Sequence, residues 1–146
     1  MLDTDTLSEL SRGNPMVKAR ALAYLSELGR LTITAVTVFE RLRGYRAAIR
    51  DGKPFERQLR AFEELVANCL ILPFDQDAAG VAALIWAHST RVQRGQLGDI
   101  LIAAVAVSRH LPLVTRNRRD FARLASAAGV SLRLLDWTRA PPSAIP

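Results

Sequence analysis

The sequence predicts an α/β fold in which a parallel sheet carries helices on both faces. Three observations predict it. Short apolar runs alternate with segments of helical spacing along the whole chain, and parallel strands need such crossovers. One of those segments, GDILIAAVAVSRHL (98–111), is apolar almost all round, which marks a central, buried helix. The chain has 146 residues, 49% hydrophobic and 23% charged, a length and balance that suit one domain with one core.

The elements follow in order. Residues 1–3 read as the exposed end of a short strand, and TLSELSRG (6–13) as a turn or two of helix ending at Gly13. Asn14-Pro15 starts the next helix, with Pro in its first turn. Val17, Ala21, Leu25 and Leu28 share one face of it, and Gly29 stops it. RLTITAV (30–36) is β-branched and alternating, a buried strand. TVFERLRGYRAAIRDG (37–52) returns to helical spacing, and Phe55, Leu59, Phe62 and Leu65 make a second helical stripe. LILPF (70–74) is a strand, and residues 75–95 are one long helix with Asp75 or Asp77 near its start. After the apolar helix come a strand PLVT (112–115), a helix RRDFARLASAAG (118–129) and a last strand SLRLLDW (131–137). Residues 1–137 are read as one domain. Residues 138–146 are a Pro-rich tail, expected to be loose.

Several classes are set aside by composition. No run of eighteen apolar residues is present, so no transmembrane helix is expected. The N-terminus lacks a basic stretch followed by an apolar one, so no secretory signal is expected. The lone Cys69 cannot make an internal disulfide, which fits a reducing cytoplasm. His88 and His110 are isolated and expected at surface helix ends rather than on zinc. The net charge is +6, and eighteen of the twenty basic residues are Arg. A GC-rich coding sequence also yields Arg, but the net sign favours a polyanionic partner.

Ligands of parallel sheets gather beyond the carboxyl ends of the strands, and this rule sorts the acids. Asp3 ends the first strand, Glu40 lies in the helix after TITAV, and Asp99 leads the apolar helix. Asn117 and Asp120 follow the strand PLVT. Any one of them has a structural alternative, such as a helix cap at Asp99. Together they would repel one another unless a cation intervened, and hard oxygen ligands suit Mg²⁺ or Mn²⁺. Arg41, Arg43, Arg46 and Arg50 follow Glu40, and Arg116, Arg118, Arg119 and Arg123 surround Asn117 and Asp120. Both groups flank the acids where a phosphate backbone would approach; a solvated helix face is the alternative. Phe39 and Phe121 read as core, with Tyr45 open. Asp5 reads as a helix-start acceptor, with a Thr6–Glu9 capping box in competition.

LDTDTLSEL, ITAVTVFERLRG, GDILIAAVA and LVTRNRRDF, spanning residues 2–121, resemble in type and order the motifs of PIN-domain nucleases, and among them the VapC-type toxins. The resemblance implies a three-layer fold with a central five-stranded parallel sheet flanked by helices. It implies a Mg²⁺-dependent (or Mn²⁺-dependent) endoribonuclease, the toxin of a toxin–antitoxin pair, whose water attacks in line and leaves a 5′-phosphate. The implied partners are RNA, a VapB-like antitoxin and a second copy of the chain, with no membrane. Asp3, Glu40 and Asp99 match the family acids. Asn117 or Asp120 matches the fourth, and Thr115 a Thr/Ser near the site. Asp5 departs from the pattern, since relatives commonly carry Asn there.

Two other readings fit parts of the sequence. LDTDTL fits the D-x-D-x-T signature of haloacid-dehalogenase phosphatases, with Asp3 as nucleophile. Their downstream Lys and paired acids are poorly matched, because Lys53 sits in a loop-like DGKP and Ala103 stands where a second acid belongs. A non-catalytic nucleic-acid-binding domain of this fold would have a broken acid set, whereas this set is intact.

Overall fold

The computed structural model describes residues 1–139 of the chain. The helices are α1 (Thr4–Ser11), α2 (Pro15–Leu28), α3 (Ala35–Arg50), α4 (Glu56–Ala67), α5 (Gln76–His88), α6 (Arg91–Arg94), α7 (Leu97–Ser108) and α8 (Arg118–Ala127). The strands between them are short: β1 (Thr32–Thr34), β2 (Leu70–Leu72), β3 (Leu113–Val114) and β4 (Leu134–Leu135).

Side-chain caps set the boundaries. Asn14 Oδ1 accepts from the N–H groups of Met16 and Val17, and Gly29 closes α2 at φ 75°, a conformation that favours glycine. The Thr34 hydroxyl accepts from the Thr37 N–H. RLTITAV therefore turns helical at Ala35 instead of running on as a strand through Val36. The expected long helix over 75–95 is two helices. Asp75 caps α5, and a capping box between Thr90 and Gln93 restarts the chain as α6.

The expected contiguous five-stranded sheet does not form. β1 pairs with β2 in parallel, Thr32 opposite Leu70, and β3 pairs with β4 in parallel, Leu113 opposite Leu134. These are two separate two-stranded sheets. Leu2 lies between them as a single bridge to Val114, and its N–H donates to Thr32 O at 2.8 Å. The cause is local. Asp3 already caps α1, so the chain leaves extended geometry after one bridge residue, and the Thr34 cap ends β1 in the same way. Nor is this segment exposed: Met1, Leu2 and Asp3 are all buried.

Alternation along the strands splits the core into two clusters. Met1, Leu72 and Leu113 face Ile85, Ile102, Phe121 and Leu124 on the side of α5, α7 and α8. Leu2, Ile33 and Val114 face Leu7, Val17, Phe62 and Trp137 on the other side. Helices thus cover both sides of the strands, as expected. α7 is the central helix: Ile100 and every residue from Ile102 to Ala106 are fully buried. Phe121 is core, but Phe39 is 59% exposed, against expectation. His88 and His110 are exposed at helix ends. No helix among the described residues is long and apolar enough to cross a membrane. Of the expected tail, residues 140–146 lie outside the described residues.

Candidate active site

Asp3 enters the site from the bridge at Leu2. Its extended backbone (φ −83°, ψ 176°) places it one residue before α1, and its Oδ1 accepts from the Thr6 N–H at 2.7 Å. Asp3 is therefore the helix cap, the role expected for Asp5. Asp5 lies exposed in the first turn. The alternative capping box is also absent, because the Thr6 hydroxyl donates to Val114 O, while Glu9 accepts from Arg12, Asn14 and Arg116. Burial pushes the Asp3 carboxyl above its ordinary range, while hydrogen bonds from Thr115 and Thr6 pull it back.

Glu40 reaches the site from α3. The Thr4 hydroxyl donates to its Oε2 at 2.6 Å. Its other oxygen fills the space above Gly98: a Cβ at Gly98 would stand 1.8 Å from Oε1. Asp99 follows in the first turn of α7. Gln96, not Asp99, occupies the cap position there, and no side chain caps this helix. Burial first, then the charges of Glu40, Asp3, Asp5 and Asp120, push Asp99 up to about 6. Glu40 and Asp99 line one cleft of about 320 Å³ with Phe39, Arg43, Gln96 and Leu97.

Asp120 sits in the first turn of α8, its carboxylate 3.8 Å from Arg123. Asn117 occupies the cap position of that helix without a side-chain cap bond, and its N–H donates to the buried Thr115 hydroxyl at 2.9 Å. Thr115 thus links the loop before α8 to Asp3.

The basic residues divide. Arg41 turns inward: one Nη donates to Ser8, the other to Tyr45, and its guanidinium lies 4.9 Å from the Tyr45 ring centre. Arg46 meets Glu63 at 3.5 Å, and Arg116 meets Glu9 at 3.1 Å. Arg50 pairs with its neighbour Asp51. Arg43 is exposed and lies over the Phe39 ring at 5.4 Å. Arg118 and Arg119 are exposed, and no ion pair among the described residues includes them.

Acids from three separate elements, α1 with its cap, α3 and α8, thus act on Asp99 in α7. As the side chains lie, no three acidic, His or Cys groups among the described residues stand close enough to hold an ion. The chemistry of the donor set nevertheless fits a hard dication, which would relieve the mutual repulsion recorded at Asp99. Thr4 and Gly98 were not singled out from the sequence. Thr4 is 36 positions from Glu40, and no periodicity links them. Gly98 carried a faint signal, a glycine inside the first turn of an otherwise strongly helical run.

The PIN domain family model matches residues 1–127. The chain is 33% identical over 140 residues to the tRNA(fMet)-specific endonuclease VapC of Shigella flexneri, covering 94% of this chain and 97% of that protein. It is 38% identical over 104 residues to Ribonuclease VapC5 of Mycobacterium tuberculosis, covering 70% and 75%. The solved structure of DNA-bound VapBC from Salmonella typhimurium superposes with a TM-score of 0.72 at 27% identity, over 94% of this chain and 96% of that one.

Proposed function

The chain belongs to the PIN-domain family and, within it, to the VapC toxins of toxin–antitoxin systems, and from that premise we propose that it is a Mg²⁺-dependent endoribonuclease. The observation that carries the reading is Asp99. Its carboxyl is pushed up to about 6 by burial and by the surrounding carboxylates, Glu40 foremost. A structural acid would have found a cap or a cation, whereas this one stands among its own kind.

Asp3, Glu40, Asp99 and Asp120 would hold Mg²⁺ or Mn²⁺, with Asn117 completing the set directly or through water. A bound dication supplies an activated water and offsets charge building on the phosphate. The chain's own residues orient that set. Thr115 and the Thr6 N–H fix Asp3, and the Thr4 hydroxyl holds Glu40 in the space left open at Gly98. Arg43, Arg118 and Arg119 are exposed and suited to backbone phosphates. A VapB-like antitoxin and a second copy of the chain are the proposed protein partners; the Salmonella relative was solved as a VapBC complex on DNA. Family membership displaces the phosphatase reading, which predicts hydrolysis of p-nitrophenyl phosphate.

Asp99→Asn is the test. The mutant is expected to fold and to lose Mg²⁺-dependent cleavage of RNA. A purified mutant that cleaves at the wild-type rate would sink the metal-site reading. Expression of the wild-type chain is expected to arrest growth, with relief by its cognate antitoxin.

A further inference from the structure

A second cleft, of about 330 Å³, opens on the far side of Glu40. It meets the first cleft only at Glu40. Its walls include Thr4, Arg41, Tyr45, Lys53 and Phe55. The Tyr45 and Phe55 rings stand 6.1 Å apart, inclined by 36°, as an aromatic wall. Both residues are half-buried and line the cleft.

The DGKP turn builds the rim. Gly52 takes φ 78°, and the Lys53 N–H donates to Ala48 O at 2.9 Å. The Phe55 N–H then donates to Lys53 O at 2.9 Å. This short bonded turn presents a cation and an aromatic ring at the same edge. Lys53 is exposed, and no ion pair among the described residues includes it. The Arg41 guanidinium lies on the Tyr45 ring with its Nε unpartnered.

We propose that this cleft is a subsite for one unpaired nucleotide of the RNA strand, adjacent to the phosphate that is cut. The inference rests on the nuclease reading above. The base packs against Phe55 and Tyr45, and its backbone phosphate meets Lys53, with the Arg41 charge behind it. Stacking on aromatic faces combined with a nearby cation is how single strands are held without reading sequence. The placement gives Glu40 two neighbours: the acids on one side, the flanking nucleotide on the other. A strand crossing Glu40 therefore enters the acid site already oriented.

The experiment measures anisotropy of a short fluorescein-labelled single-stranded oligoribonucleotide in EDTA, so that cleavage does not enter. Phe55→Ala is expected to weaken binding by at least about fivefold. Lys53→Ala is expected to weaken it too, and to lower the slope of log affinity against log salt by about 0.7. Phe55→Trp is expected to keep full affinity and to add tryptophan fluorescence that RNA quenches, which a merely structural Phe55 would not produce. Should Phe55→Ala fail to fold, Lys53→Ala and Phe55→Trp decide the question. Wild-type affinity in Lys53→Ala, absence of added quenching in Phe55→Trp, or no binding by the wild-type chain each overturns the subsite. The nuclease reading is scored separately, by cleavage after Mg²⁺ is restored: an RNA that binds and quenches but is never cut defeats the nuclease and leaves the subsite standing.

Discussion

At the scale of single residues, Asp99, Gly98 and Asp3 define what the site tolerates. Asp99 titrates at about 6 in the folded chain, above the ordinary carboxylate value of about 3.9. The folded state therefore holds this proton more tightly than the unfolded state. Stability of the metal-free protein is greatest below the unfolded value and falls as pH rises through about 6. Asp99→Asn removes that loss. In EDTA its melting temperature is expected to exceed wild type at pH 8 and to match it near pH 4; equal melting across this range would contradict the shift. Gly98 works by absence. A methyl group there would collide with Glu40 Oε1, and the carboxylate, at the end of a flexible chain, is what yields. Gly98→Ala is expected to hold or gain up to about 1 kcal/mol of stability, since alanine suits a helix better. It should still lose at least tenfold in cleavage rate. Parallel urea melts and RNA assays check both halves. Asp3 takes the capping duty that sequence reasoning gave to Asp5, and it is also a proposed ligand. Asp3→Asn keeps the cap and loses the charge, whereas Asp3→Ala loses both, at a further cost of about 1 kcal/mol in unfolding free energy.

At the scale of elements, α7 is the axis of the molecule. α5 packs most extensively against it, and the buried alanines of the pair, Ala78 and Ala82 with Ala103, Ala104 and Ala106, leave room for close approach. Ala104→Leu is expected to cost about 1–3 kcal/mol by overpacking, read from the urea midpoint. An unchanged midpoint would mean that the site can open. The same rigidity steadies Asp99, which stands one turn from the most buried stretch of the chain. Periodicity found this helix because burial on all sides leaves an unbroken apolar run. It mistook the α5–α6 break for continuous helix, because the Thr90–Gln93 box interrupts the backbone without interrupting the composition.

At the scale of the whole molecule, the +6 charge is unevenly available. Arg46 and Arg116 already pair with Glu63 and Glu9, and Arg41 is committed to Ser8 and Tyr45. Arg118 and Arg119, at the start of α8 beside Asp120, have no ion pair among the described residues. Alanine at either is expected to lower the salt slope of RNA binding by about 0.7, and alanine at Arg46 to leave it nearly unchanged. Equal slopes for all three variants would show that the helical face as a whole, not this end of it, attracts the strand.

The sequence by itself determined the class of fold, the parallel sense of its strands, the central apolar helix and the family, because each is written in local spacing and in residue types that stay close along the chain. Asp3, Glu40, Asp99 and Asp120 stand out as candidates for the same reason: each follows a strand or opens a helix. Tertiary structure alone decided how far each strand runs, since the caps at Asp3 and Thr34 compete with the ladder residue by residue and leave two sheets joined at Leu2. It alone decided which Asp caps and which arginines remain unpaired. It also brought Thr4, Glu40 and Gly98 together across 94 positions of chain, because contacts between distant segments depend on how helices cross, and no period in the sequence records a crossing.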